Sequence, residues 1–287
     1  MGQTEPVIRN ISDTAHWAAV YRARENERPK ALFRDPFARR LASERGEQIY
    51  ATLPARDRNE WAWVIRTFLY DQLIAEQLRQ GADLVVNLAA GLDARPYRMP
   101  LSPSLRWIEV DLPGILSYKE DALRSERPAC ALERVRVDLS DVNARRALFE
   151  QLGRRATRAL IITEGLLIYM TADEVGALAR DLGAQRGFQR WVLDIVSPGL
   201  LRMMQKRMGA QLSRASAPFQ FAPEEGPEFF IPHGWRPADV RSIAQTARRL
   251  RRAPLLLRLL SFLPESNGRQ GPRPWGGVCL LEKPGGA

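Results

Sequence analysis

Apolar residues are spaced in two different ways along the chain. Up to Gly81 the spacing is helical. Residues 11–27 carry Ala15, Ala18, Ala19 and Ala23 with Trp17 and Tyr21, which predicts a helix with Ser12, Asp13 or Thr14 as N-cap and Arg28-Pro29 as its end. Asp35-Pro36 predicts the start of a short helix, because proline's fixed φ suits a first helical position. In residues 59–80, Val64, Ile65, Phe68, Leu69, Leu73 and Leu78 recur at three and four, the pattern of a long amphipathic helix. After Gly81, short apolar runs at 84–90, 107–110, 135–137, 160–163 and 191–196 alternate with helical stretches at 113–126, 143–152 and 172–186. Strand and helix in this rhythm predict a parallel sheet with helices on both faces, a doubly wound α/β fold. Beyond Pro198 the rhythm stops. Residues 200–212 read as a helix, 213–237 as a loop-like cover, 237–249 as another helix and 278–282 as a last strand.

Composition narrows the class. With 45% hydrophobic and 26% charged residues, the chain of 287 residues is globular rather than disordered. No run reaches the roughly 18 apolar residues of a membrane span, and MGQTEPVIRN lacks the apolar core of a signal peptide. Pro6 stands where a myristoylation motif needs Ser or Thr. Cys130 and Cys279 cannot make a disulfide framework, so a reducing, cytoplasmic setting is expected. His16 and His233 are the only histidines, so no metal site is expected. The net charge of +10 is carried almost wholly by arginine, spread along the chain and often beside acids. The clusters Arg154/Arg155/Arg158 and Arg248/Arg249/Arg251/Arg252 lack the interleaved aromatics of a single-strand binder. No nucleic-acid partner is expected, although a nucleic-acid-binding protein with an arginine-rich surface is the alternative of a different class. The segment 254–264 is apolar, short and bounded by Pro254 and Pro264, which reads as a buried cover helix rather than a membrane contact.

In such a sheet, ligands bind outside the C-terminal ends of the strands, where the strand order reverses. The first strand runs into Leu88-Ala89-Ala90-Gly91-Leu92-Asp93. Small residues there let a ligand approach the backbone, or simply allow a strand-to-helix turn. The dinucleotide fingerprint has three glycines and this turn has one of them. Asp111, 20 residues after Gly91, is placed to accept both ribose hydroxyls of an adenosine, or to cap the helix after Pro113; the two roles are compatible. Glu109 shares its strand face but lies deeper. Asp138 ends the third strand, where an acid can take the adenine amino group while Leu139 packs on the ring; an N-cap role is the alternative. Glu164 ends the fourth amid apolar sequence and needs a partner, either a ligand's ammonium or a basic side chain such as Arg66. Gly91, Asp111, Asp138 and Glu164 thus end four successive strands, a joint pattern that describes a site for adenosine joined to an amino acid, S-adenosyl-L-methionine.

The motifs TAHWAAVYRARE (14–25), DPFA (35–38), RT (66–67), VVNLAAGLDARPYR (85–98), WIEVDLP (107–113), ITEGLLIYM (162–170) and HGW (233–235) resemble those of the leucine carboxyl methyltransferase family of class I S-adenosylmethionine-dependent methyltransferases. The resemblance covers nearly the whole chain. It implies a Rossmann-like, mostly parallel seven-stranded sheet in a single domain: N-terminal helices (1–82), a cofactor-binding core (83–197), a substrate-cover segment (198–275), and a closing strand and tail (276–287). It also implies that Arg66 clasps the cofactor's carboxylate, Gly91 borders its methionine part, Asp111 takes the ribose, Asp138 and Leu139 hold the adenine, and Glu164 faces the methionine end. Ala89 and Ala94 depart from the family, which usually has Gly and Thr there.

The reaction expected is methyl transfer to an oxygen of a small and possibly acidic molecule, a carboxylate giving a methyl ester. O-methylation of a hydroxyl on a secondary metabolite is the alternative. A carboxylate is ionised at neutral pH and needs no base, whereas a hydroxyl benefits from one. Tyr169 reads either as an acceptor-pocket residue or as core, and His233 either as a base or as structural. His16 reads as structural. Arg22 and Arg24 read either as receivers of an acidic substrate or as a solvated face.

Overall fold

In the computed structural model of the protein, which describes residues 12–52, 59–214, 217–254 and 273–284, the strands are β1 (Leu84–Leu88), β2 (Arg106–Asp111), β3 (Ala131–Arg136), β4 (Ala159–Thr163), β5 (Phe188–Val196), β6 (Arg236–Ser242) and β7 (Gly276–Glu282). They form one sheet in the order β3-β2-β1-β4-β5-β7-β6. The first five run parallel, and β7 lies antiparallel to both β5 and β6. Every residue of β1 and β4 is buried, as expected of central strands covered on both faces. Alternate residues feed opposite cores. Leu84, Val86 and Leu88 pack with Leu148, Phe149 and Leu178 of the helices α6 (Val142–Arg154) and α7 (Ala172–Gly183). Val85 packs with Ile65, Leu69 and Leu73 of α3 (Glu60–Arg79). A third core joins α1 (Ser12–Asn26), α2 (Ala38–Thr52) and α5 (Pro113–Ala122) to Leu92 and Ala94. The N-terminal helices therefore pack beside the C-terminal ends of β1 and β2. The strand order reverses at β1, which has β2 on one side and β4 on the other.

The C-terminal half corrects part of the sequence reading. The stretch 237–249 is not one helix: Arg236–Ser242 is strand β6, and only Ile243–Arg249 is helical, as α9. Val240, Ile243, Ala244 and Ala247 have helical spacing, but Val240 is exposed and the strand is held by its backbone ladder to β7. Pro237 sits at a register shift in this edge strand, where a missing N–H is tolerated. The helix expected to begin at Asp35-Pro36 begins at Ala38 and extends to Thr52, with a bend at Ser43 (φ 53°). Ser12, Asp13 and Thr14 lie inside the first turn of α1 rather than ahead of it. The loop-like cover contains a 3-10 segment, Gly226–His233. Most of the 254–264 segment lies outside the described residues. Among the described residues no helix is long and apolar enough to cross a membrane.

Glu109 of β2 is fully buried and accepts from Lys119 Nζ of α5 at 2.7 Å and Arg134 Nε of β3 at 2.9 Å. The triad joins three elements beneath Asp111. Lys119→Met should cost about 3 kcal/mol or more, because it strips a buried carboxylate of a partner. The fall in the denaturant midpoint of unfolding measures that cost.

Candidate active site

The turn after β1 is held open by backbone geometry. Ala89 (φ 52°) and Gly91 (φ 47°) both take left-handed conformations, a cost of about 1–2 kcal/mol for a residue with a Cβ. At Gly91 a Cβ would also stand 3.2 Å from Cβ of Ala15 on α1, so a side chain there would be both strained and crowded. Asp111 at the tip of β2 reaches across to this turn. Its Oδ2 accepts from Gly91 N at 2.6 Å and its Oδ1 from Leu112 N at 2.7 Å. Burial raises its pKa, and those two amides work against the shift. It does not cap α5, which begins after Leu112 without a side-chain cap.

Arg95, in the short helix α4 (Arg95–Arg98), is 1% exposed. Its guanidinium binds Asp71 of α3 (2.7 Å), Asp93 of the turn (2.9 Å) and Glu164 beyond β4 (2.8 Å). Asp71 also accepts from Arg98 at 2.7 Å, and Asn87 donates to Asp93. Burial alone would raise the pKa values of Asp71 and Asp93, but the two arginines outweigh it and hold both carboxyls below the usual range. Arg66 of α3 extends the network. Its Nε lies 3.2 Å from Glu164 and its Nη1 3.5 Å from Asp194 of β5, and the guanidinium stacks 4.6 Å over Trp63. Burial opposes its charge, yet Asp194 and Glu164 together raise its pKa. Asp194 in turn accepts from Gly165 N at 2.7 Å and Tyr70 Oη at 2.8 Å. Glu164 therefore finds its partners in arginines.

These groups surround a cavity of about 720 Å³, within the range of small-molecule sites. Arg66, Ala89, Gly91, Asp111, Glu164 and Tyr169 all line it. Tyr169 packs against Phe219 at 5.5 Å; burial raises its pKa, countered by a hydrogen bond with Thr14 and by Arg66. Asp138, Leu139 and His233 are not among the lining residues. Asp138 is exposed and accepts from Ser140, while Leu139 gives its carbonyl to Arg145; Asp141, not Asp138, caps α6. His233 packs on Phe229 and lies 3.1 Å from Arg180 of α7, and burial and that arginine lower its pKa. His16 lies between Ala42 O and Tyr118, also off the cavity. Arg22 lines the cavity but donates to Asp35 and Leu92 O; Arg24 pairs with Glu60. Sequence reasoning missed Asp194, Asp93, Arg95 and Asp71. Asp194 lies inside β5 rather than at its tip, since the strand runs on to Val196, so the strand-end rule did not reach it. Asp71 lies mid-helix and carried no signal.

Because the folded pKa values of Asp71 and Asp93 lie below their unfolded ones, their contribution is complete above about pH 4 and is lost as pH falls through the folded values. Asp111, shifted upward, offsets part of this loss. Arg95→Met should destabilise the protein by about 3–5 kcal/mol at neutral pH and flatten the acid decline in Tm. Thermal melts of both proteins between neutral pH and pH 3 check it.

Similarity to known proteins follows the same lines. The family model for leucine carboxyl methyltransferase matches residues 15–183. A Streptomyces avermitilis protein named as an S-adenosyl-L-methionine-dependent methyltransferase is 32% identical over 249 residues, covering 82% of this chain and 86% of its own. A Streptomyces coelicolor protein of the same description is 32% identical over 240 residues, covering 77% and 82%. Among solved structures, a DUF574-family protein from Streptomyces avermitilis superposes with a TM-score of 0.59 at 13% identity, over 94% of this chain and 97% of the other. A Thermobifida fusca protein described as a methyltransferase gives 0.57 at 16%, over 97% and 96%. At those identities the likeness is one of fold. The strand order, the turn after β1 and the matched sequence agree: the chain belongs to the leucine carboxyl methyltransferase family of class I S-adenosylmethionine-dependent methyltransferases.

Proposed function

We propose that this methyltransferase acts on a carboxylate oxygen of a small molecule and releases a methyl ester. The residues around the turn after β1 fit the cofactor. Gly91 and Ala89 leave its backbone approachable. Asp111 keeps lone pairs beyond those given to Gly91 and Leu112, since a carboxylate has about four acceptor sites; it would hold the ribose. Arg66 would clasp the carboxylate of the methionine part with its planar fork, and Glu164 would face that end. Val137 N donates to Asp111 O at 3.1 Å, so the tip of β3 adjoins the ribose position, and Asp138 and Leu139 would border the adenine. When bound, the cofactor supplies a methyl group carried on positively charged sulfur, an electrophile for an oxygen nucleophile.

The observation that carries the carboxylate reading is the protonation chemistry of the cavity. Among the described residues no histidine lines it, Glu164 and Asp93 are held in ion pairs, and Tyr169 has a pKa raised by burial. Such a lining suits a nucleophile that arrives already ionised. The chain's work is then to bind, orient and keep water out, with Tyr169, Phe219 and Trp17 as apolar wall.

Asp111→Ala should weaken binding of S-adenosylhomocysteine by about one to two decades, from the loss of two charge-assisted hydrogen bonds. Calorimetry on the folded variant measures this, and unchanged affinity removes Asp111 from the site. With labelled cofactor and extracts of the source organism, the product should gain one methyl and lose it in mild base. Its rate of formation should be level from about pH 6 to 8, and His16→Gln and His233→Gln should each keep kcat within about tenfold. A rate that climbs with pH, with melting temperature and cofactor affinity preserved across the range, would mark a hydroxyl acceptor instead.

A further inference from the structure

Arg66 and Asp194 line the cavity together. Arg66 Nη1 and Asp194 Oδ2 stand 3.5 Å apart, whereas a charge-assisted hydrogen bond is about 2.7–2.9 Å long. The two charges attract without closing on each other, and each is held from behind. Arg66 is fixed by its Nε against Glu164 and by its stack on Trp63. Asp194 is built into β5, which leads into α8 (Pro198–Arg214). Its Oδ1 accepts from Gly165 N at 2.7 Å and Tyr70 Oη at 2.8 Å. Its Oδ2 meets only Arg66 among the described residues, so it keeps room for a closer donor. Glu164 is more fully engaged: Oε2 lies 2.8 Å from Arg95 Nη1 and Oε1 3.2 Å from Arg66 Nε. The side chains of Arg66 and Asp194 keep 16% and 14% exposure, so neither is sealed from a ligand.

An α-amino acid carries its ammonium and carboxylate on one carbon, roughly 3 Å apart by standard bond lengths. The Arg66–Asp194 pair presents the inverse charges at a similar spacing. We infer, resting on the Arg66 clasp proposed above, that Asp194 Oδ2 accepts from the ammonium of the cofactor's methionine part while Arg66 holds the carboxylate beside it. Glu164 is then a positioning residue that fixes Arg66 and Arg95. A zwitterion bound in this way leaves neither of its charges without a counter-charge, the condition for holding ions away from water.

Calorimetry on the full chain tests this with S-adenosylhomocysteine, its desamino analogue, its decarboxy analogue and methylthioadenosine, which lacks both groups. Asp194→Asn should weaken S-adenosylhomocysteine and the decarboxy analogue by about tenfold, the worth of one charge-assisted hydrogen bond, and leave the desamino analogue unchanged. Asp194→Ser, a second neutral replacement, should give the same pattern. Arg66→Gln should give the reverse, weakening S-adenosylhomocysteine and the desamino analogue and sparing the decarboxy one. Unchanged affinity for methylthioadenosine certifies each variant as folded. If the Asp194 variants weaken the desamino analogue as much as S-adenosylhomocysteine, Asp194 acts only through Arg66 and the inference is overturned. An ammonium-dependent loss in Glu164→Gln but not in the Asp194 variants also overturns it. Arg66→Gln with undiminished affinity for the desamino analogue overturns the clasp instead.

Discussion

A buried guanidinium organises this site. Arg95 has almost no contact with solvent and is bound by carboxylates from α3, from the turn after β1 and from the end of β4. Removing an ion from water is expensive, and the interior tolerates it only where opposite charges and hydrogen bonds replace the hydration shell. Each partner is thereby fixed relative to the others. Asp71 locks the N-terminal helix layer to the sheet, Asp93 sets the turn, and Glu164 sets the end of β4. Through Asp71 the network continues to Arg98, and through Glu164 to Arg66 and Asp194. The cavity floor is a charge lattice built from the chain's own residues.

The two walls of the cavity differ in composition. On the sheet side acids and arginines are interleaved. On the cover side arginines stand beside leucine and methionine without acids among the described lining residues. The dense arginine clusters read in the sequence belong partly to ordinary surface pairing: Arg154 meets Glu150 and Arg155 meets Glu133.

The turn after β1 carries strain that a local reading could not see. Ala89 adopts a left-handed conformation, which is costly for a residue with a Cβ. Neighbouring interactions hold it there: Ala90 N bonds to Val110 O, Asp93 N to Ala90 O, and Gly91 N to Asp111. Backbone strain at a ligand-binding turn persists when its surroundings over-determine it.

Periodicity and strand-end logic alone determined a good deal. The alternation of apolar runs with helical stretches predicted the parallel core, because buried central strands must be continuously apolar. That Gly91, Asp111 and Glu164 would meet around one cavity was legible, because α/β topology brings strand ends together. What the sequence could not decide depends on partners distant in the chain. β6 has no buried apolar face and exists through its hydrogen bonds to β7, so its own residues read as helix. Asp71, on the helix α3, joins the site only because Arg95 and Arg98 reach it from the turn after β1. His233 reads as a base by residue type, yet tertiary packing sets it against α7, away from the cavity lining. Local pattern encodes which elements form, since each element's backbone bonding and buried stripe are short-range properties. Which charges meet is a long-range property, fixed only when the elements pack and desolvation forces each ion to find its counterpart.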